Sequence, residues 1–385
     1  MKTSHRTRTV RLSLLALAVG GAIAALALAG PLNPPAGPVT STYKTLTEVE
    51  PRIAISATNT PGDADSLFKI TQRGSYYLTG NITGVVGKHG IEIVASGVTL
   101  DLMGFNLSGV SGMGAFDGVS VTVASVTDIT IRNGSVRAWG DAGVDLGSIA
   151  TINSAVIDVR ASGNTSIGIH VGGGCTINGC SAYNNFGTGI STGGGCTITG
   201  CSAHDNNSNG FVTDFGCTIT GCSANLNAFS GFVIGGGGAI TGCTAGLNGM
   251  VGISAALGST ITQCAVQANV LDGISVTSAC LVLANTCSMN GNGPSNGAGI
   301  RATGADNRIE GNNCTTADRG IDVDGAGNII IKNTCSGNTI ANWDIVANNV
   351  VGPILDRTAP ASAAILGNSA PSSLGSTDPN ANFTY

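Results

Sequence analysis

The most constraining feature of this sequence is a 21-residue repeat that occupies the middle of the chain. The repeated glycines are Gly168, Gly189, Gly210, Gly231, Gly252 and Gly273. The repeated asparagines are Asn164, Asn185, Asn206, Asn227, Asn248, Asn269 and Asn290. A unit of this length is too short for two packed helices, so it must bury its apolar positions against the units before and after it.

Within one unit the apolar and polar residues alternate, as in Cys196-Thr197-Ile198-Thr199. Alternation with a period of two indicates short strands that have one face buried and one face in water. Stacked parallel strands lie about 4.8 Å apart, so residues 21 apart would sit above one another. The prediction is an all-β fold, a single-stranded parallel β-helix of about eleven coils.

The asparagine and cysteine positions are explained by the same stacking. A polar side chain that faces the interior must be hydrogen-bonded, so the asparagines in register are interpreted as an internal ladder. The chain has 12 cysteines, and most of them recur at the same period. Parallel stacking does not bring the Cβ atoms of two such cysteines into disulfide range. We therefore predict two columns of buried free thiols and no metal site.

The unit Gly-Cys-Thr-Ile-Thr-Gly-Cys-Ser-Ala, completed by Asn and Gly-Ile, resembles the repeat of right-handed parallel β-helix proteins of the pectin lyase-like superfamily. The resemblance covers about residues 90–352 and implies a right-handed coil. This chain departs from the commonest pattern by placing Cys where Asn usually follows Thr-Ile-x-Gly. Members include lyases, hydrolases, tailspikes and proteins without known activity, so the fold alone does not imply one function.

The flanking segments have a different character from the repeat. Residues 1–29 combine four basic residues, an apolar stretch and the small-x-small site Ala27-Leu28-Ala29, which is typical of a signal peptide, although a retained anchor remains an alternative. We predict a Pro-rich linker over residues 30–60, an N-terminal cap over 61–89, the β-helix over 90–352 and an irregular tail over 353–385. The mature protein is then secreted or in the cell envelope, without a membrane span.

The composition narrows the range of partners. Charged residues make up only 10% of the chain and the formal net charge is −5, with no basic patch. A nucleic-acid partner is therefore excluded, because binding to phosphates needs clustered Lys and Arg. We expect a polysaccharide or another cell-surface component as partner. No cofactor is predicted; Ca²⁺ stays open, since the carboxylates that could hold it are scattered.

Two groups of residues could carry catalysis. The superfamily resemblance implies acidic residues and an Arg or His base, and the early coils offer a set of such side chains. These candidates are Arg132, Arg137, Asp141, Asp145, Arg160 and His170. A second group consists of Arg301, Asp322 and Asp324 on one outward face. The simpler interpretation is that both groups are exposed ion pairs with little effect on stability.

The outward face of the Thr-Ile-Thr strands carries a grid of threonines. Its members are Thr176, Thr197, Thr199, Thr218, Thr220, Thr241, Thr260 and Thr262. Such a grid resembles the ice-binding face of some antifreeze proteins, while Thr is also simply a favourable strand residue. Because the regular coils leave no room for long loops, we expect a non-catalytic protein that binds polysaccharide along one face. The alternatives are a polysaccharide lyase or hydrolase, and a protein that binds ice or another crystal surface.

Overall fold

The computed structural model describes residues 50–147, 152–291, 297–356 and 377–385. The predicted signal peptide and residues 30–49 of the predicted linker lie outside these residues. From Arg52 onward the described chain forms one compact unit of parallel strands, without a helix. In these described ranges, no helix has the length and apolar character needed to cross a membrane.

One flank of the stack is a 13-strand parallel sheet. Its strands pair in chain order, so each coil contributes one strand. They are Ser66–Ile70, His89–Ile93, Val119–Ser120, Val144–Leu146, Ile169–Val171, Ile190–Thr192, Phe211–Thr213, Phe232–Ile234, Ile253–Ala255, Ile274–Val276, Ala298–Ala302, Arg319–Val323 and Ala341–Ile345.

The other strands form a 26-strand sheet that consists of two ladders joined by two long strands. The first ladder contains Ile53–Ala54, Gly74–Tyr77, Val98–Asp101, Ile129–Arg137, Ala155–Ser162, Thr176–Asn178, Thr197–Thr199, Thr218–Thr220, Ala239–Thr241, Thr260–Thr262, Leu281–Leu283, Arg308–Glu310, Ile329–Ile331 and Val350–Val351. The strands Ile129–Arg137 and Ala155–Ser162 continue into the second ladder. That ladder adds Ile82–Thr83, Asn106–Ser108, Ser181–Tyr183, Ser202–His204, Ser223–Asn225, Thr244–Gly246, Ala265–Gln267, Thr286–Ser288, Asn313–Thr315, Thr334–Ser336, Ile354–Asp356 and Asn382–Thr384.

The parallel β-helix predicted from the repeat is confirmed, but it has about 14 turns where the sequence indicated about eleven. The additional turns lie at the two ends of the stack, where Ser66–Ile70 and Ala341–Ile345 each add a strand to the 13-strand sheet. Leu67 and Asn342 stand in these strands where the neighbouring coils have Gly90 and Gly320. A search for the repeated glycine therefore cannot find these two coils.

The interior is built from the columns that the repeat predicted. Ile177, Ile198 and Ile219 are fully buried, and the rings of Phe211 and Phe232 stack with centroids 4.7 Å apart. All twelve cysteines are buried and free. They form three columns rather than the predicted two, because Cys287, Cys314 and Cys335 pair in register inside the second ladder.

The asparagine ladder is present at the corner between the second ladder and the 13-strand sheet. The Asn206 side-chain oxygen accepts a hydrogen bond from the Asn185 backbone N–H at 3.1 Å. Its amide nitrogen donates to the Ala182 carbonyl at 3.1 Å and to Asn227 Oδ1 at 2.9 Å. Each buried asparagine therefore satisfies backbone groups of neighbouring coils at a corner where the strand ladder is interrupted.

Candidate functional site

Asp145 and His170 are neighbours on the outward face of the 13-strand sheet. They pair in register, and the same column continues through Ser191 and Val212 in the next two coils. The residues on either side of each, such as Ile169 and Val171 beside His170, are buried. Strand alternation thus anchors the backbone in the core and directs both polar side chains outward.

The two side chains are hydrogen-bonded in a defined orientation. Asp145 Oδ1 lies 3.0 Å from His170 Nδ1, and it also accepts the Gly147 backbone N–H at 2.9 Å. A Cβ atom at position 147 would lie 2.5 Å from His170 Nε2, so the ring needs glycine at this position. Because a carboxylate can only accept, Nδ1 carries the hydrogen, and Nε2 of the neutral ring is left as the acceptor.

An open groove of about 270 Å³ lies beside this pair. It crosses the strand ends of four successive coils, and several of its corner residues are glycines. The lining residues are Gly147, His170, Val171, Gly172, Ser191, Thr192, Gly193, Val212, Thr213 and Asp214. The groove therefore runs along the stacking direction, with an imidazole at one end and the Asp214 carboxylate at the other.

More acidic groups surround the start of this column. His89 Nδ1 lies 3.4 Å from an oxygen of Asp117. Burial, together with the charges of Asp117 and Asp145, raises the pKa of Asp141. The sequence indicated Asp141, Asp145 and His170, and the structure brings these three to the same region of the 13-strand sheet.

The three arginines of the predicted early-coil group lie on the 26-strand sheet instead. Arg132 binds Asp101 at 3.0 Å on the first ladder. Arg137 donates to Ser108 Oγ at 3.1 Å, and Arg160 is exposed on the strand Ala155–Ser162. None of the three lines the groove beside His170. The structure thus separates the predicted arginines from the predicted acid and base.

The described residues contain one group of three carboxylates close enough to share a cation, namely Asp63, Asp65 and Glu92. The Lys69 ammonium lies 2.6 Å from Asp63 and 2.8 Å from Glu92. A positive charge of the protein itself is thus already placed among these oxygens. The expectation that Ca²⁺ could bind stays a prediction.

The second predicted group is an ion-pair network near the other end of the same sheet. Arg301 binds Asp324 at 2.8 Å, and its Nε lies 3.9 Å from Asp322. Burial, with the charge of Asp324, raises the pKa of Asp322 to about 6. Arg319 and Asp344, which bind each other at 2.7 Å, belong to this network but were missed in the sequence. The sequence signal that could have revealed them is the spacing of Asp344 from Asp322, since these two residues pair in the strand register.

The threonine grid is in register on the outward face of the first ladder. Thr176, Thr197 and Thr218 pair directly, and Thr199, Thr220 and Thr241 form the parallel column. Thr241 and Thr262 hydroxyls are 3.0 Å apart. Leu281 and Leu283 follow Thr260 and Thr262 in the next coil, so the grid ends there.

Comparison with known proteins agrees with the observed fold. Residues 89–248 match the family described as right handed beta helix region. The A-module of the mannuronan C-5 epimerase AlgE4 of Azotobacter vinelandii superposes with a TM-score of 0.53 at 18% identity, covering 78% of this chain and 88% of that one. A tailspike protein of E. coli bacteriophage HK620, solved with a pentasaccharide, superposes with a TM-score of 0.52 at 12% identity, covering 80% and 71%. No match was found among curated protein sequences.

Proposed function

We propose that this right-handed parallel β-helix protein binds a polysaccharide in the groove beside His170 and Asp145. The observation that carries the proposal is the groove itself, which is open, crosses four coils and carries polar groups along its length. A linear polymer can lie along such a groove and meet an equivalent backbone corner at every coil. Location outside the cell or in the envelope belongs to the same proposal.

Two proteins with this fold support a carbohydrate ligand. One is described as a mannuronan epimerase and the other was solved with a pentasaccharide. Binding without catalysis is the function that the geometry favours here. The groove is open and no Arg or Lys lines it, whereas proton abstraction beside a uronate carboxylate needs that charge neutralised.

The test is to block the groove with a large side chain. We expect Ser191→Trp to weaken binding to a soluble polysaccharide at least tenfold in affinity electrophoresis, because the indole occupies the groove. The matched control is Ser202→Trp, at an outward position of the second ladder, which should bind like the unmodified protein. Equal binding by both variants would place the site elsewhere. Failure of the unmodified full chain to bind any glycan in a broad panel would reject the proposed function.

A second candidate function is general-base catalysis on the bound glycan. It is favoured by the hydrogen bond between His170 and Asp145, which leaves Nε2 of the neutral imidazole ready to accept a proton. Incubation with the same panel should then produce new reducing or unsaturated chain ends, and His170→Gln should lower their rate at least a hundredfold. Binding without new ends, or unchanged turnover in His170→Gln, would exclude this candidate.

A further inference from the structure

The groove borders a long stretch of the chain that carries no charge. The 57 residues between Asp214 and Asp272 contain no Asp, Glu, Lys, Arg or His. They include two consecutive strands of the 13-strand sheet, Phe232–Ile234 and Ile253–Ala255, and the corners beside them. Ordinary protein surfaces are rich in charge, so this band is unusual. A neutral partner can dock on it without stripping water from charged groups, while a charged polymer finds no counter-charge.

The charges that do line the groove or flank it are acidic. Asp214 lines the groove, Asp145 binds His170 at its edge, and Asp141 lies close to Asp145. On the same sheet, Lys69, Arg301 and Arg319 are held in ion pairs with carboxylates towards the two ends of the stack. A polymer with a carboxylate on each sugar would therefore meet repulsion, and no Lys or Arg of the groove compensates for it.

An exposed aromatic ring stands at the corner next to the groove. Phe215 directly follows Asp214 and is 72% exposed. The equivalent corner positions in the coils before and after it are Gly194 and Gly236. The ring lies against Gly236, with Cδ1 3.3 Å from the position that a Cβ atom there would take. Glycine at this position leaves room for the ring to lie against the stack, as a flat apolar platform beside a polar groove.

We infer that the site takes an uncharged hexopyranose polymer and that Phe215 stacks on the apolar face of one of its sugar rings. This inference rests on the proposed function and adds the chemical class of the ligand. Three observations carry it: the uncharged band, the acidic edge of the groove and the exposed ring. Aromatic rings and a few placed polar groups are the usual composition of small-molecule sites.

The experiment compares neutral and anionic glycans on the full chain at low and high salt. We expect a neutral glucan or mannan to bind with an affinity that salt does not change, and alginate and polygalacturonate to bind at least tenfold more weakly. Phe215→Ala should lower the affinity for the neutral glycan about tenfold, because the apolar surface that the sugar ring and the phenyl ring bury against each other is lost.

The matched control is Phe186→Ala, because Phe186 is 70% exposed at a corner that precedes a strand of the 13-strand sheet, whereas Phe215 follows one. It should bind like the unmodified protein, and circular dichroism should show that both variants are folded. Preferential, salt-sensitive binding of alginate, or equal affinities of the two variants, would overturn the inference while leaving polysaccharide binding intact. If Phe215→Ala changes the sedimentation coefficient but leaves the glycan affinity unchanged, the ring belongs to a contact between copies of the chain, and the inference is overturned. Absence of binding to every glycan would reject the proposed function itself.

Discussion

At the residue scale, the stack depends on side chains that complete the backbone hydrogen bonds at its corners. Cysteine and asparagine perform the same task in one column. Cys222 Sγ accepts the Cys201 backbone N–H at 3.4 Å, and further along Asn285 Oδ1 accepts the Cys264 N–H at 2.9 Å. Sulfur is a weaker acceptor than an amide oxygen, so the cysteine coils gain apolar volume and lose hydrogen-bond strength. Cys can therefore take the place of Asn in this column.

We predict that Asn227→Ala destabilises the protein strongly. The substitution removes the acceptor of the Asn206 backbone N–H and the donor to the Ala203 carbonyl, and both groups are buried. Two unsatisfied buried groups cost about 2–5 kcal/mol of unfolding free energy. The decrease should appear as a lower urea midpoint.

Asn225→Ala is the control, because Asn225 lies on the outward face of the same coil. Its urea midpoint should stay within the range of ordinary surface substitutions, about 0.5 kcal/mol. Similar losses in the two variants would mean that the ladder contributes no more than a surface amide does.

At the scale of the elements, the late strands of the 13-strand sheet carry a cluster of three aspartates and two arginines. Asp322 faces Asp324, Asp344, Arg301 and Arg319, and it is half-buried. Its folded pKa of about 6 lies above the ordinary value of 3.8. The folded state therefore holds the proton more tightly than the unfolded chain does. The resulting stabilisation is complete below pH 4 or so and is lost as the pH rises through about 6.

Asp322→Asn is expected to remove this part of the pH dependence. The unmodified protein should lose up to about 3 kcal/mol of stability between pH 4 and 7 through this one group, since a shift of one unit in pKa corresponds to about 1.4 kcal/mol. The stability of the variant should change less over that pH range and should be higher at pH 7, as measured by thermal unfolding at each pH. The control is Asp306→Asn at an exposed corner, which should keep the original profile. An unchanged profile in Asp322→Asn would show that Asp322 titrates at its ordinary value.

At the scale of the whole described stack, each coil contacts mainly the coils next to it, because strands pair with the strand one coil away. Stability in such arrays is approximately a sum of coil and interface contributions. The central coils share one length and one set of buried positions. They should therefore be interchangeable.

Deletion of residues 228–248 tests this interchangeability. It removes one complete 21-residue unit and joins Asn227 to Gly249, so that Asn227 can stack on Asn269. We expect a folded protein with native-like circular dichroism and a small decrease in its unfolding temperature. Deletion of residues 228–237 removes about half a coil, puts every later strand out of register and should abolish folding. Equal behaviour of the two deletions would contradict the stacking model of stability.

The 21-residue period accounts for the parallel β-helix, the buried Ile column, the two predicted Cys columns, the asparagine ladder and the register of the threonine grid. Residues 21 apart must stack when every coil has the same length. The period therefore predicts which residues contact each other in neighbouring coils. The pairing of Asp145 with His170 could be predicted for a related reason, because both stand two residues after the glycine that opens a strand.

Which other side chains lie near Asp145 and His170 was decided by the tertiary structure. In the outer coils the spacing between stacked residues varies, and the nine-residue strand Ile129–Arg137 runs through two ladders. Alternation alone cannot tell which flank of the coil such a strand occupies, so Arg132 and Arg137 could not be separated from the acid–base pair. The groove and the position of Phe215 beside it depend on how neighbouring corners pack. That packing is a property of several coils together and has no local sequence period.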